Sequence, residues 1–198
     1  VAMLGVGGSG MSALSLVLAS MGARVRGYDA VASPITDRLR AAGIDVAIED
    51  GRQAARAAEL LIATAAVPAD HPALAEARRA GTPVMRYPEA LGMVMQGRTG
   101  IAVAGTHGKS TTVGMLGAAL VDAGLDPTVI AGAASPQLEH GALAPTGRWS
   151  GSRLGAREIP AGARFGRPGL LVAEACEFNR SFHNLQPTIA GIGNIEAD

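Results

Sequence analysis

Short apolar runs alternate with longer amphipathic ones over the first half of the chain. Val1–Val6 predicts a strand. Ser9–Met21 predicts a helix, with Met11, Leu14, Leu18 and Met21 recurring at three- and four-residue spacing. Arg24–Tyr28 reads as a second strand. Pro34–Ala42 reads as a helix, because Ser33 can cap it, Pro34 suits its first position and Gly43 ends it. Further strands are expected at Val46–Ile48, Leu60–Ala66 and Pro83–Arg86, and helices at Gln53–Ala58, Pro72–Ala80 (closed by Gly81) and Pro88–Met95. This rhythm predicts an α/β fold, a parallel sheet with helices on both faces.

Gln96–Gly100 is polar and contains glycine, after which the pattern restarts. The expected organisation is a Rossmann-like domain over residues 1–96, a linker over 97–100 and a second α/β domain over 101–198. The second domain opens with a strand at Ile101–Ala104 and a helix at Ser110–Ala123, ended by Gly124. Strands follow at Thr128–Ile130, Leu170–Ala173 and Thr188–Ile192. Between them, residues 133–168 are rich in Gly, Pro, Arg and Ser and read as a long loop, with His140 and Trp149 exposed.

Composition narrows the function classes. The 198 residues carry 17 basic and 17 acidic side chains, which argues against a general nucleic-acid partner. A single cysteine, Cys176, excludes an internal disulfide and a cysteine-based zinc site, and reads as a small buried filler. No apolar run approaches the ~18 residues of a membrane span, so no membrane insertion is expected. The opening VAMLGVGGSG does not resemble a signal peptide, and the expected location is the reducing cytoplasm. The chain starts at Val1 inside a predicted strand and stops at Asp198 inside a motif, as a fragment of a longer protein would. The only lysine is Lys109; all other basic residues are arginine.

Two glycine-rich turns follow predicted strands. Gly5-Val6-Gly7-Gly8-Ser9-Gly10 fits G-x-G-x-x-G. Its glycines would let backbone approach a diphosphate lying at the helix N-terminus, and Asp29 ends the next strand where it can accept from a ribose hydroxyl. By itself the turn suits NAD, FAD, another nucleotide diphosphate, or a purely structural tight turn. Gly105-Thr106-His107-Gly108-Lys109-Ser110-Thr111 reads as a P-loop for ATP, although Val103 stands where the general form has glycine. Its amides would cradle phosphates, Lys109 would reach the β/γ oxygens and Ser110 would offer a hydroxyl to Mg²⁺. His107 lies inside this loop, where its plain structural role is a hydrogen bond that stabilises it. Glu174 and Glu177, at the end of a predicted strand, are candidates near that ion, and Gly193-Asn194-Ile195-Glu196 ends another strand. His71 reads as a solvated helix start. Met11, Met21, Met93 and Met95 read as helix core.

GVGGSGM, AGTHGKSTT, LLVAEACEFNRSFHNLQP and GNIEAD occur in an order and spacing that resemble the Mur ligases over nearly the whole chain. The resemblance implies a Rossmann-like domain that holds a UDP-substrate, followed by the start of a P-loop ATP-binding domain. It further implies an ATP-dependent amide ligase of peptidoglycan precursor synthesis. The substrates would be UDP-N-acetylmuramate, L-alanine and ATP, with Mg²⁺ as cofactor and an acyl phosphate as intermediate. Carried over residue by residue, Gly7, Gly8, Ser9, Gly10 and Asp29 would bind the UDP part. Gly105, Thr106, His107, Gly108, Lys109, Ser110 and Thr111 would bind ATP, with Lys109 and His107 catalytic. Ser110 and Glu174 would hold the metal. Cys176 stands where the family commonly has an acid, and His183 is one position away from the family's histidine, so neither inherits a role. A related ligase that attaches a tripeptide to the same UDP-sugar fits the same residues. From other classes, an NAD-dependent oxidoreductase or a non-catalytic nucleotide-binding module remains open.

Overall fold

The computed structural model describes residues 1–132, 152–153 and 169–196. The expected loop at 133–168 lies outside the described residues except for 152–153, as do His140, Trp149, Ala197 and Asp198. The chain divides into two compact units, Val1–Ala90 and Leu91–Asp198.

The first unit is built on β1 (Ala2–Leu4), α1 (Ser9–Ser20), β2 (Arg26–Asp29), α2 (Pro34–Ala41), β3 (Asp45–Ile48), α3 (Arg52–Ala57), β4 (Leu61–Ala63), α4 (Pro72–Ala80) and β5 (Val84–Arg86). Its sheet has the order β3-β2-β1-β4-β5, with every pair parallel. Side chains alternate across a strand. Ala2 and Leu4 therefore join Leu61, Ala63, Tyr28 and Leu74 in one buried cluster, while Met3 and Ile62, outside that cluster, are also fully buried. Burial on both faces is what a parallel sheet with helical crossovers requires.

The helix ends follow local chemistry. Ser33 accepts from the Thr36 N–H at 3.3 Å, and the Thr36 hydroxyl accepts from the Ser33 N–H at 2.9 Å, which closes a reciprocal cap on α2. Gly81 ends α4 in the left-handed conformation. β4 stops at Ala63, three residues before the expected end, because the chain turns: the Val67 N–H donates to the Thr64 carbonyl at 3.2 Å.

α5 (Tyr87–Gln96) contains the division between the two units. The second unit continues with β6 (Thr99–Ala104), α6 (Lys109–Asp122), β7 (Thr128–Ile130), β8 (Ser152–Arg153), β9 (Leu170–Glu174), a 3₁₀ helix (Phe178–Asn184) and β10 (Ile189–Ile192). Thr99 and Gly100, expected in the linker, are the first two residues of β6. The strand order is β10-β6-β9-β7-β8; β8 runs antiparallel to β7 and the remaining pairs are parallel. Ile101, Val103, Val113, Val129, Leu170 and Val172 form its core. The 3₁₀ helix and β8 carry no sequence signal of their own.

Three burial expectations are corrected. Met21 is 57% exposed because it caps the C-terminus of α1, where the chain leaves the core. Met93 is exposed too, whereas Met11 and Met95 are buried. Cys176 is exposed, not a filler: β9 ends at Glu174, and only Ala175 beyond it remains buried before the 3₁₀ turn. No described helix is long and apolar enough to cross a membrane.

Candidate functional site: two glycine-rich turns

β1 leads into the first turn, and α1 leaves from it. Gly5 has φ +73°, and a Cβ there would collide with the Thr64 methyl, so the position admits only glycine. The Gly7 N–H donates to Asp29 Oδ2 at 2.8 Å, and the Val31 N–H donates to Asp29 Oδ1 at 3.2 Å. Asp29 is thus seated against the turn and braces it, with lone pairs left on both oxygens for further donors. Gly8 is the N-cap of α1 and no side chain caps the helix. The amides at Ser9, Gly10 and Met11 lie at the positive end of the helix dipole. Gly10 is demanded by packing, since a Cβ would stand 2.7 Å from the Tyr87 hydroxyl and ring. The residues expected at the UDP site are therefore gathered in one place: Gly7 on Asp29, and Gly8, Ser9 and Gly10 at the start of α1.

The second turn joins β6 to α6. β9 and β10 flank β6, with Val103 opposite Glu174 and Ala104 opposite Ile192. Three distant segments therefore converge at one sheet edge: 105–108, 174–177 and 193–196. Gly105 (φ +149°) lies against Asn194, where a Cβ would be 3.2 Å from Oδ1; Gly108 (φ +78°) has open space around it and is glycine for its backbone alone.

Asn194 ties the loop down. Its carbonyl accepts from the Thr106 N–H at 3.2 Å, and its side-chain Oδ1 accepts from the His107 N–H at 3.0 Å. The Glu196 N–H donates to the Thr106 hydroxyl at 3.1 Å. It is the backbone of His107, not its ring, that anchors the loop. The imidazole is 73% exposed, with Nε2 3.7 Å from a Glu196 carboxylate oxygen.

Lys109 folds back over the loop. Its Nζ donates to the Gly105 carbonyl at 2.7 Å, to the Thr106 carbonyl at 3.2 Å and to Glu177 Oε1 at 2.9 Å, and stands 2.7 Å from Glu177 Oε2. The Lys109 side chain is 13% exposed and that of Glu177 49%. The hydrogen bond from Lys109 is the main reason the Glu177 carboxyl is held below its ordinary value of 4.5, with its own backbone amide helping.

Ser110 and Glu174 both lie beside Gly132. The Gly132 N–H donates to Glu174 Oε1. A Cβ on Gly132 would stand 3.2 and 3.3 Å from the Glu174 oxygens and 3.5 Å from Ser110 Oγ. A hydroxyl and a carboxylate thus border the same space beside Gly132, and an all-oxygen pair is the donor type that suits a hard cation such as Mg²⁺. Among the described residues, no group of three or more His, Cys, Asp or Glu is arranged to hold a metal. Phosphate and water oxygens would complete such a shell, the usual way Mg²⁺ is held beside nucleotides. Thr111 is exposed on the first turn of α6.

Elsewhere, His71 Nδ1 accepts from the Ala73 N–H at 3.3 Å, so this side chain caps α4. The pairing roles of Asn194 and Glu177 and the place of Gly132 were not assigned from sequence. Their motifs were visible, but which strand end faced the P-loop depended on the order β10-β6-β9.

Comparison with known proteins agrees with this geometry. The family model described as "Mur ligase family, catalytic domain" matches residues 1–99. UDP-N-acetylmuramate–L-alanine ligase of Solidesulfovibrio magneticus is 40% identical over 196 residues, covering 99% of this chain and 38% of that protein. The chain thus spans about two fifths of the length of the curated relatives it matches. Among solved structures, UDP-N-acetylmuramate-alanine ligase MurC of Thermotoga maritima superposes with TM-score 0.78 at 26% identity, covering 96% of this chain and 40% of that one. UDP-N-acetylmuramate:L-alanyl-gamma-D-glutamyl-meso-diaminopimelate ligase of Neisseria meningitides superposes with TM-score 0.79 at 26% identity, covering all of this chain and 60% of that one. On the matched residues and the shared fold, the chain belongs to the Mur ligase family.

Proposed function

We propose that this chain is the UDP-substrate-binding and ATP-binding part of a UDP-N-acetylmuramate–L-alanine ligase acting in peptidoglycan precursor synthesis, and so in cell shape and division, in the cytoplasm. Residues 1–96 serve the UDP-sugar and 101–198 serve ATP. The observation that carries the reading is the convergence of Lys109, Ser110 and Glu174 at the end of β6, beside a loop whose curated relatives bear that enzyme's name.

The chemistry follows from charge. An amine does not displace oxide from a carboxylate, so the lactyl carboxylate must first accept the γ-phosphoryl group of ATP, releasing ADP. The amino group of L-alanine then attacks the acyl phosphate; phosphate leaves and the ammonium proton is lost, giving the amide. The first step brings two anions together. The Thr106 and His107 amides are given to Asn194, so Lys109 and the N-terminus of α6 carry the positive potential that offsets this. Ser110 and Glu174 are the residues that would hold Mg²⁺, which when bound neutralises phosphate charge. In the first turn the Gly8 N–H is taken by the Gly5 carbonyl at 3.2 Å, so the amides of Ser9 and Gly10 orient the UDP diphosphate, while Asp29 keeps the turn in shape and can accept from a ribose hydroxyl. His107, whose imidazole is exposed, would touch the transferred phosphate. The tripeptide-adding ligase is a second reading, favoured by the equal fit of the Neisseria structure.

Calorimetric titration with UDP-N-acetylmuramate, NAD and Mg·ATP tests the reading. Binding of the UDP-sugar and Mg·ATP without NAD is expected. Binding of NAD without the UDP-sugar would reject the ligase in favour of an oxidoreductase.

A further inference from the structure

We propose that Glu177 holds, on Lys109, the place that a nucleotide phosphate oxygen takes, so that binding exchanges one anion for another and the site selects metal-loaded over metal-free nucleotide. The inference rests on the ATP reading of the second turn.

An ammonium has three N–H donors and no acceptor. Those of Lys109 go to the Gly105 carbonyl, the Thr106 carbonyl and the Glu177 carboxylate. A phosphate oxygen can reach Lys109 only by displacing one of them. The two carbonyls belong to the loop itself; Asn194 fixes the Thr106–His107 backbone beside them, and the Glu196 N–H holds the Thr106 hydroxyl. Glu177 is the partner that can leave. It sits beyond the end of β9, it is half exposed, and its side chain can rotate about single bonds into solvent.

The backbone that carries Glu177 need not move. Its carbonyl accepts from the Arg180 N–H at 2.8 Å, and the neighbouring Cys176 carbonyl accepts from the Phe182 N–H at 3.0 Å. Arg180 adopts φ +54°, a left-handed conformation uncommon outside glycine, and this tight turn fixes where Glu177 begins. A fixed backbone with a free carboxylate end is suited to reversible exchange.

The exchange has an electrostatic signature. A carboxylate beside the phosphate path repels an incoming anion in proportion to its charge. Metal-free ATP carries about four negative charges and Mg·ATP about two, so the carboxylate penalises the metal-free form more. A tether that merely stiffened the loop would favour both forms equally.

The test uses Glu177→Gln, which keeps shape and removes charge, with Glu177→Asp as the charge-retaining partner and Glu177→Ala as a second neutral variant should glutamine disturb folding. Affinities for Mg·ATP and for ATP in excess chelator are measured by calorimetry at matched ionic strength. Glu177→Gln is expected to bind Mg·ATP about three- to tenfold tighter than the unaltered chain, and metal-free ATP to gain by a larger factor. Glu177→Asp should show no gain. Unchanged or weaker binding by the neutral variants overturns the inference, as does an equal gain for the two ligands. Failure of the unaltered chain and all variants to bind either form overturns the ATP reading itself, and the inference with it.

Discussion

The two glycine-rich turns share a plan, strand to glycine to helix, yet hold themselves in opposite electrical ways. The first has an acid inside it: Asp29 takes the Gly7 amide at 2.8 Å, so one of the turn's own donors is already neutralised. The second has a cation inside it: Lys109 bonds the loop's carbonyls and reaches out to an acid just beyond the end of β9. A turn braced by a carboxylate can hold a ligand's diphosphate at the helix end but has no mobile positive charge to follow a moving phosphoryl group. A turn built round an ammonium can supply that charge. The proposed division between holding a substrate and transferring phosphate would use this contrast, which rests on side chains brought from neighbouring segments and not on the glycines.

The most severe way to break the comparison is Lys109→Ala. It should weaken Mg·ATP binding by about 100-fold, the scale of a lost charge-assisted contact in a mostly enclosed site. UDP-N-acetylmuramate binding should stay unchanged; calorimetry with each ligand separates the two, and equal losses would show that the turns do not act independently.

Glycine substitution separates steric from conformational need. Gly5→Ala meets both a positive φ and the Thr64 methyl, whereas Gly108→Ala meets a positive φ in open space. Thermal or denaturant unfolding should show a loss of about 2–4 kcal/mol for the first and about 1 kcal/mol for the second. Similar losses would mean that the Thr64 contact relaxes freely.

Asp29→Asn keeps one acceptor but sets an amide NH₂ against the other backbone N–H. A loss of about 1 kcal/mol in stability is expected, with UDP-N-acetylmuramate binding about fivefold weaker through the loosened turn and Mg·ATP binding unaffected. An effect on ligand affinity with none on stability would make Asp29 a ligand contact only, not a brace.

The smallest effect is pH dependence at Glu177. Its folded value is lowered chiefly by the Lys109 hydrogen bond, so the pair's stabilisation is fully present above the ordinary value of 4.5 and is lost as pH falls through the lower folded value. Comparing unfolding of the unaltered chain and Glu177→Gln should therefore give a constant difference near neutral pH that disappears in acid. A difference that persists unchanged in acid would place the stabilisation in packing.

Much of the fold was legible along the chain because its signals are local. Ser33 and Pro34 announce the start of α2, Gly81 announces the end of α4, and the observed ends of α4 and β7 are those that the pattern predicts. The family motifs marked Lys109, Ser110 and Glu174, which do lie at one edge of the second sheet. Burial was less legible. Met21 and Met93 have apolar side chains at helical spacing yet face outward, since periodicity gives a face and not what covers it. Cys176 was misplaced for a related reason: it lies just past a strand end whose position depends on pairing with β6.

By itself the amino-acid order determined the strand–turn–helix units, because caps, glycine conformations and apolar periodicity act within a few residues. It also determined which residues could carry the chemistry. Only the tertiary structure decided the partners: that Asp29 braces Gly7, that Asn194 anchors Thr106 and His107, and that Glu177 holds Lys109. Those pairs are 22, 87 and 68 residues apart in the chain for Gly7–Asp29, His107–Asn194 and Lys109–Glu177. The physical reason is strand order, since parallel strands adjacent in a sheet need not be adjacent in sequence, and their aligned ends set which loops meet.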